Sequence, residues 1–272
     1  MTQFSKPLQW IYCIYAFVLF VTIMLLLFPC VLIASFFGRI RGGNAIFRIC
    51  MFWGDLWFPL VFIFPRRIYT SPHDKTKQYV FVLNHTSLLD AAVIPKAFRQ
   101  PVRPLGKAEM SKIPVFGFIY RKAIVMVNRS SVTDRFHSLI TLRSIIGKGI
   151  SVLFFPEGTY NQTHQPLKAF FDGAFRIAIE TQTPVKPVLF LDNFNRLPYQ
   201  HALSFNPGRC RILFLDEIPV SGLTAHDADK LKENVFQMME NKLREYKVGW
   251  IRSSKGPRHL SQMDLIKLNI EY

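Results

Sequence analysis

Val82-Leu83-Asn84-His85-Thr86-Ser87-Leu88-Leu89-Asp90 leaves an apolar run and enters a helical pattern. That change places His85 and Asp90 at the carboxyl end of a strand, where open α/β sheets bind their ligands. If the intervening turn reverses the chain, the imidazole and the carboxylate can meet. The imidazole can then take a proton while the carboxylate fixes its tautomer and stabilises the imidazolium. A His and an Asp at this spacing also occur by chance, and an isolated His is more often a satisfied structural residue.

The pattern around this stretch repeats. Short β-branched and aromatic runs occur at Tyr79 to Leu83, Ile124 to Val127, Ile150 to Phe155, Val185 to Leu191 and Arg211 to Leu215. Near-continuous apolar runs of this length suit strands covered on both faces. Helical spacing lies between them, clearest from Arg135 to Ile146 and from Ala174 to Glu180. The alternation predicts an α/β fold with a mixed, parallel-rich sheet flanked by helices. Thr224 and Asp227 form a capping-box pattern. It precedes a helix with Ala228, Leu231, Val235, Met238, Met239 and Leu243 on its core face. A second strand end, Ser151 to Phe155, runs into Pro156-Glu157-Gly158-Thr159. The Pro turns the chain out of the sheet and the Gly admits a ligand close to the backbone. The bland alternative is an ordinary turn with an exposed acid.

The amino-terminal third differs. Trp10 to Phe37 holds no charged residue over 28 positions, longer than a signal-peptide core and sufficient to span a bilayer. This predicts a retained hydrophobic anchor, with Pro29 kinking or ending the spanning part. A second apolar stretch, Ile49 to Pro65, contains Asp55 and several aromatic residues, and reads as an interfacial or re-entrant helix. A two-helix hairpin that dips into the membrane and returns is the alternative. The basic loop Gly38-Arg39-Ile40-Arg41-Gly42-Gly43 favours the cytoplasmic side for both the loop and the catalytic region. The expected organisation is an anchor over 1–67, a catalytic domain over 68–247 and a basic tail over 248–272.

The net charge is +16, and Lys96 to Arg129 carries eight basic residues against Glu109 alone. No nucleic-acid reading element accompanies these charges. Anionic lipid is the better partner, each Lys or Arg near an anionic leaflet contributing roughly 1 kcal/mol. Cys13, Cys30, Cys50 and Cys210 have no metal-ligand spacing and read as small buried apolar residues. His73, His137, His164, His201, His226 and His259 are likewise scattered, so no metal is expected.

Asn84-His85-Thr86-Ser87-Leu88-Leu89-Asp90 with Phe155-Pro156-Glu157-Gly158-Thr159 resembles the glycerolipid acyltransferase family, in particular the bacterial lysophosphatidic acid acyltransferases of the PlsC type. Lys107, Glu109, Pro114, Phe116-Gly117 and Val127-Asn128-Arg129 resemble its second block, and Thr183-Pro184-Val185-Lys186-Pro187-Val188 its fourth. Tyr160-Asn161 departs from the Arg-Ser that usually follows the third block, and Ala123 replaces a common Gly. The first departure removes a positive charge near the expected phosphate site and leaves the acceptor headgroup open.

The resemblance implies acyl transfer from a thioester, acyl-CoA or acyl carrier protein, to the free hydroxyl of lysophosphatidic acid, with no further cofactor. His85 would be the general base and Asp90 its partner. Arg129 would grip the acceptor phosphate, with Asn84, Glu157, Gly158 and Thr159 shaping the substrate pocket and Glu157 bonding the acceptor or holding Arg129. Lys107 and amides near Gly158 are candidate oxyanion donors. Competing readings are another acceptor within the family (a lyso-aminolipid or glycerol 3-phosphate), a hydrolase using Ser87, and a silent membrane-binding module.

Overall fold

The computed structural model describes residues 6–127, 132–163, 165–201 and 203–251. Arg129 and most of the basic tail lie outside them. The elements run α1 (Lys6–Ser35), α2 (Gly43–Leu60), β1 (Ile63–Tyr69), β2 (Val80–Leu83), α3 (Leu89–Ala97), β3 (Val102–Lys107), α4 (Phe116–Ala123) and β4 (Val125–Val127). They continue with α5 (Val132–Ile146), β5 (Ser151–Phe154), α6 (Gly173–Glu180), β6 (Val185–Phe190), α7 (Asn193–Arg196), β7 (Gly208–Phe214) and α8 (Ala228–Glu245).

The seven strands form one sheet in the order β1-β7-β6-β2-β5-β3-β4. β6, β2, β5, β3 and β4 are mutually parallel, and β7 pairs antiparallel with β6 and parallel with β1. The carboxyl ends of five strands and the amino ends of β1 and β7 therefore share one edge, called the catalytic edge below. β2, β5 and β6 are buried along their whole length, as near-continuous apolar runs require. One face packs Leu142, Phe175, Leu231, Val235 and Met239 from α5, α6 and α8. The other packs Phe47, Trp57 and Phe58 from α2 with Leu89 and Val93 from α3. The capping box at Thr224 and Asp227 is present, through a short 3₁₀ turn before α8. Met239 is fully buried, and Met238 packs at the margin of the core.

Two strands were not expected. β1 carries Pro65, Arg66 and Arg67 but pairs on one side only, and edge strands tolerate proline and charge. It also straddles the boundary expected between residues 67 and 68. β3 contains Arg103, Pro104 and Gly106 and has no apolar run. Its Arg103 is buried and reaches the Asn44 side chain at 2.7 Å, tying the sheet to the start of α2.

α1 is long and apolar enough to cross a membrane. It continues through Pro29 as helix. α2 folds back antiparallel against it, so the two form a hairpin. Trp57 Nε1 donates to the Ala16 carbonyl at 3.0 Å and Trp53 Nε1 to that of Phe20 at 3.4 Å. Both tryptophans are thus buried between the helices, not presented at a headgroup layer. Asp55 is not left bare in an apolar setting: Arg99 Nη1 bonds it at 2.8 Å and Lys96 also pairs with it. The other side of α1 shows Ile11, Phe17, Leu26 and Ile33 to the surroundings. Exposed apolar surface of this kind marks a membrane or protein contact. Cys30 is exposed on the same helix, contrary to its expected burial.

Candidate active site

The dyad forms as its spacing suggests. The chain leaves β2 at Leu83, turns through Asn84 to Leu88, and enters α3. Asp90, in the first turn of α3, reaches back over that turn. Its Oδ2 accepts the Thr86 and Ser87 backbone N–H groups at 2.9 Å each and meets His85 Nδ1 at 2.8 Å. Its Oδ1 accepts the Asn193 amide at 2.8 Å. Asp90 is wholly buried, and four donors converge on it. A carboxylate is acceptor-only when ionised, so Nδ1 carries the imidazole proton and the Nε2 lone pair is left for a substrate. Asp90 also sits at a helix amino end, where the backbone dipoles favour negative charge.

Two rings enclose the imidazole. Phe155 stacks on His85 at 4.1 Å with an interplanar angle of 22°, and Tyr160 closes the other side at 4.1 Å and 45°. Tyr160 in turn stacks on Tyr199 at 5.6 Å. Burial and the Asp90 charge raise the Tyr160 phenol above its usual range. The Asn161 N–H donates to the His85 carbonyl at 2.7 Å. The Tyr160-Asn161 departure therefore lies directly on the dyad.

Glu157 is turned inward and neither meets the open site nor is placed to bond an acceptor. It is 2% exposed, and its two oxygens accept backbone N–H groups of His85 at 2.8 Å and Lys168 at 2.9 Å. Burial pushes its pKa up to about 8, the two backbone bonds opposing the rise. Glu157 thus ties the end of β5 to that of β2. Asn84 corrects another expectation. It is fully buried, and its amide both donates to the Phe190 carbonyl at 3.1 Å and accepts the Phe190 N–H at 2.8 Å. Its task is to lock β2 to β6, with no free group for a substrate.

Gly158 is required where it stands. Its φ is +74°, and a Cβ there would lie 2.5 Å from the Phe171 ring. Its N–H already donates to the Phe155 carbonyl at 3.0 Å, so this amide is not an open oxyanion donor. Thr159 is exposed and accepts from Lys168 Nζ at 2.8 Å. A cation therefore stands at this turn although residue 160 is Tyr. Lys107 is exposed at the end of β3, and its register partner is Val127, two residues before Arg129. Ser87 is no nucleophile: it is fully buried, and its Oγ donates to the Leu197 carbonyl at 2.5 Å. The hydrolase reading fails on that geometry.

Asn193 is the member of the site that the sequence did not disclose. It opens α7 just beyond β6, is fully buried, and bonds Asp90 on one side while its Oδ1 accepts the Cys210 thiol at 2.6 Å on the other. Burial and the charge of Asp192 raise the Cys210 thiol strongly, keeping it a neutral donor. Lone Asn and Cys codes far apart in sequence carry no spacing signal. An apolar cavity of about 290 Å³ runs between the hairpin and α3, β3 and α4, lined among others by Phe20, Met24, Trp53, Leu88, Ile119 and Tyr120.

A His/Asp pair without a free serine beside it stands at one edge of a parallel-rich sheet. Residues 65–191 match the family model described as Acyltransferase. An uncharacterised acyltransferase of Schizosaccharomyces pombe is 30% identical over 63% of this chain and 62% of its own length. The 1-acyl-sn-glycerol-3-phosphate acyltransferase alpha of Mus musculus is 27% identical over 62% of this chain and 60% of its own. The chain thus matches about three fifths of these relatives. The crystal structure of the 1-acyl-sn-glycerophosphate acyltransferase PlsC of Thermotoga maritima shares the fold, with a TM-score of 0.68 at 22% identity, over 88% of this chain and 98% of that one. The chain is thus similar to these acyltransferases over residues 65–191 and shares the fold of the solved one.

Proposed function

We propose that the protein transfers a fatty acyl group from a thioester, acyl-CoA or acyl carrier protein, to the free hydroxyl of lysophosphatidic acid, forming phosphatidic acid. The observation that carries this reading is the His85–Asp90 pair at 2.8 Å, with the carboxylate buried and fully bonded and Nε2 open. His85 Nε2 takes the proton of the acceptor hydroxyl as its oxygen attacks the thioester carbonyl. Asp90 balances the imidazolium. The tetrahedral intermediate collapses, the carbon–sulfur bond breaks, and the thiolate leaves with the proton from Nε2. An ester and a free thiol result, with no acyl-enzyme. Base assistance of this kind is worth about 10²–10⁴-fold.

The rest of the site serves the same chemistry. We assign the acyl chain to the apolar cavity beside Leu88. Arg129 grips the acceptor phosphate by its guanidinium fork. Lys107 and Lys168 add positive charge on either side of β5. Lys107 also remains the candidate side chain for the oxyanion. The catalytic edge is rimmed by exposed Phe62, Leu88, Ile113, Phe171 and Leu203. That rim, with the hairpin, suits a domain seated on the cytoplasmic leaflet, taking acceptor and releasing product without extracting either. Tyr160 over His85 keeps other lyso-lipids as a second acceptor class.

The test is transfer by detergent-purified protein from each thioester carrier to a panel of lyso-lipids and glycerol 3-phosphate. Phosphatidic acid from lysophosphatidic acid is expected. Transfer confined to another lyso-lipid would change the acceptor, and no transfer to any would favour a silent membrane module.

A further inference from the structure

A second concavity opens at the catalytic edge, around the amino end of β7. Successive side chains of a strand point to opposite faces. Cys210 faces Asn193 and the dyad, so Arg209 and Arg211 face away from it. The concavity holds about 350 Å³ and is lined by Asp192, Arg196, Arg209 and Arg211.

Three guanidinium groups here meet one carboxylate, and that carboxylate is already committed. Asp192 accepts Arg211 Nε at 2.8 Å, its Nη2 at 2.7 Å and its backbone N–H at 2.9 Å. Arg211 is thereby fixed in place and neutralised. Arg196 lies over Gly208, where a Cβ would collide with its Nη1. That Nη1 donates to the Pro207 carbonyl. Its Nε is buried with no hydrogen-bond partner among the described residues, and an unmet buried donor is destabilising. Arg209 is exposed. Arg196 and Arg209 thus line the concavity with no carboxylate hydrogen-bonded to them among the described residues, and Arg66, opposite Arg211 in the β1–β7 register, adds a third positive charge at its edge.

The flanks indicate which anion. Phe64 is exposed opposite Arg209 in the register, and Phe62 is exposed at the foot of β1. The same edge is joined to the amino-terminal half of α1, where Gln9 bonds Asn206 at 3.1 Å and Tyr12 stacks on Phe205 at 5.4 Å. Arginine beside exposed aromatic rings at the end of a membrane helix is the composition of a headgroup layer.

We infer that Arg196 and Arg209, with Arg211 held by Asp192, form a binding site for the phosphate of an anionic bilayer lipid, separate from the acceptor site at the dyad. Guanidinium forks match phosphate oxygens in two-point contact. The site orients the catalytic edge on the leaflet and stands whether or not the acyl acceptor is lysophosphatidic acid.

The experiment follows thermal unfolding of the full chain in a non-ionic detergent at fixed ionic strength. Dihexanoyl phosphatidylglycerol, dihexanoyl phosphatidylcholine and inorganic phosphate are titrated separately. Phosphatidylglycerol should raise the unfolding midpoint at a half-saturating concentration at least tenfold below the other two. Arg209→Glu should raise that concentration at least tenfold and Arg209→Gln by less, both leaving acyl transfer in detergent unchanged. Arg129→Ala should keep the wild-type response. Equal responses from wild type and Arg209→Glu would overturn the site. So would loss of the response in Arg129→Ala, which would place the anion at the dyad. A phosphate response equal to that of phosphatidylglycerol would overturn the lipid assignment.

Discussion

Replacing Asp90 by Asn separates its charge from its shape. The new side-chain oxygen can still accept from Thr86, Ser87 and His85 Nδ1, but the new NH₂ would face the Asn193 NH₂. Turning the Asn193 amide over relieves that clash: its oxygen then accepts from the introduced amide, and its NH₂ faces the Cys210 sulfur, a weak acceptor. Folding should therefore weaken by only about 1–3 kcal/mol. Catalysis should suffer more. An imidazolium and a carboxylate about 4 Å apart at an effective dielectric near 20 attract by about 4 kcal/mol, and each 1.36 kcal/mol is roughly a tenfold change in rate. Asp90→Asn should thus lower kcat about 10³-fold while the protein stays folded. Thiol release at saturating acceptor gives the rate, and thermal unfolding gives the fold. A folded Asp90→Asn protein within tenfold of wild-type kcat would refute charge compensation as the role of Asp90.

Other residues give independent checks. Asn193→Ala removes one donor from Asp90 and should lower kcat roughly tenfold, by about 1–1.5 kcal/mol, with Cys210→Ser remaining near wild type. Unchanged kcat in Asn193→Ala would remove Asn193 from the positioning role. Glu157 has its pKa raised by burial to about 8, so its neutral form is favoured on folding. Its contribution is complete below the ordinary carboxylate range and is lost as pH rises through about 8. The wild-type unfolding midpoint should therefore fall more between pH 6 and pH 9 (about one unit or more either side of that value) than that of Glu157→Gln; parallel curves would contradict this. Gly158→Ala meets a positive φ and the Phe171 ring. The exposed ring can move aside, leaving backbone strain of about 1–2 kcal/mol, measurable as a lower unfolding midpoint. Arg129→Ala should raise the acceptor KM by the loss of a charge-assisted bond, about 1.5–3 kcal/mol, and an unchanged KM would exclude it as the phosphate grip.

Much of this site was legible because its parts are local. His85 and Asp90 share one turn, and Glu157 and Gly158 share another, so short motifs mark them. Five strands announced themselves by short apolar runs, and three of them, β2, β5 and β6, are buried along their whole length. β1 and β3 did not, since an edge strand tolerates Pro65 and two arginines, and β3 buries Arg103 against a polar partner in place of an apolar run. Roles proved harder to read than positions. Asn84 and Glu157 belong to the conspicuous motifs, yet their side chains bond backbone of neighbouring strands, which only the folded sheet brings within reach. Asn193 and Cys210 stand in no motif, because the antiparallel turn of β7 against β6 assembles them. The hairpin likewise depends on Trp53 and Trp57 finding carbonyls on α1, a pairing no hydropathy profile encodes.

The most direct measurement is phosphatidic acid formation from an acyl thioester and lysophosphatidic acid by detergent-purified protein, run beside His85→Ala with the unfolding midpoint of each recorded. Product from wild type and none above the uncatalysed rate from a folded His85→Ala protein is the expected result. Product at the wild-type rate from that folded variant would contradict general-base catalysis by His85 and the account built on it.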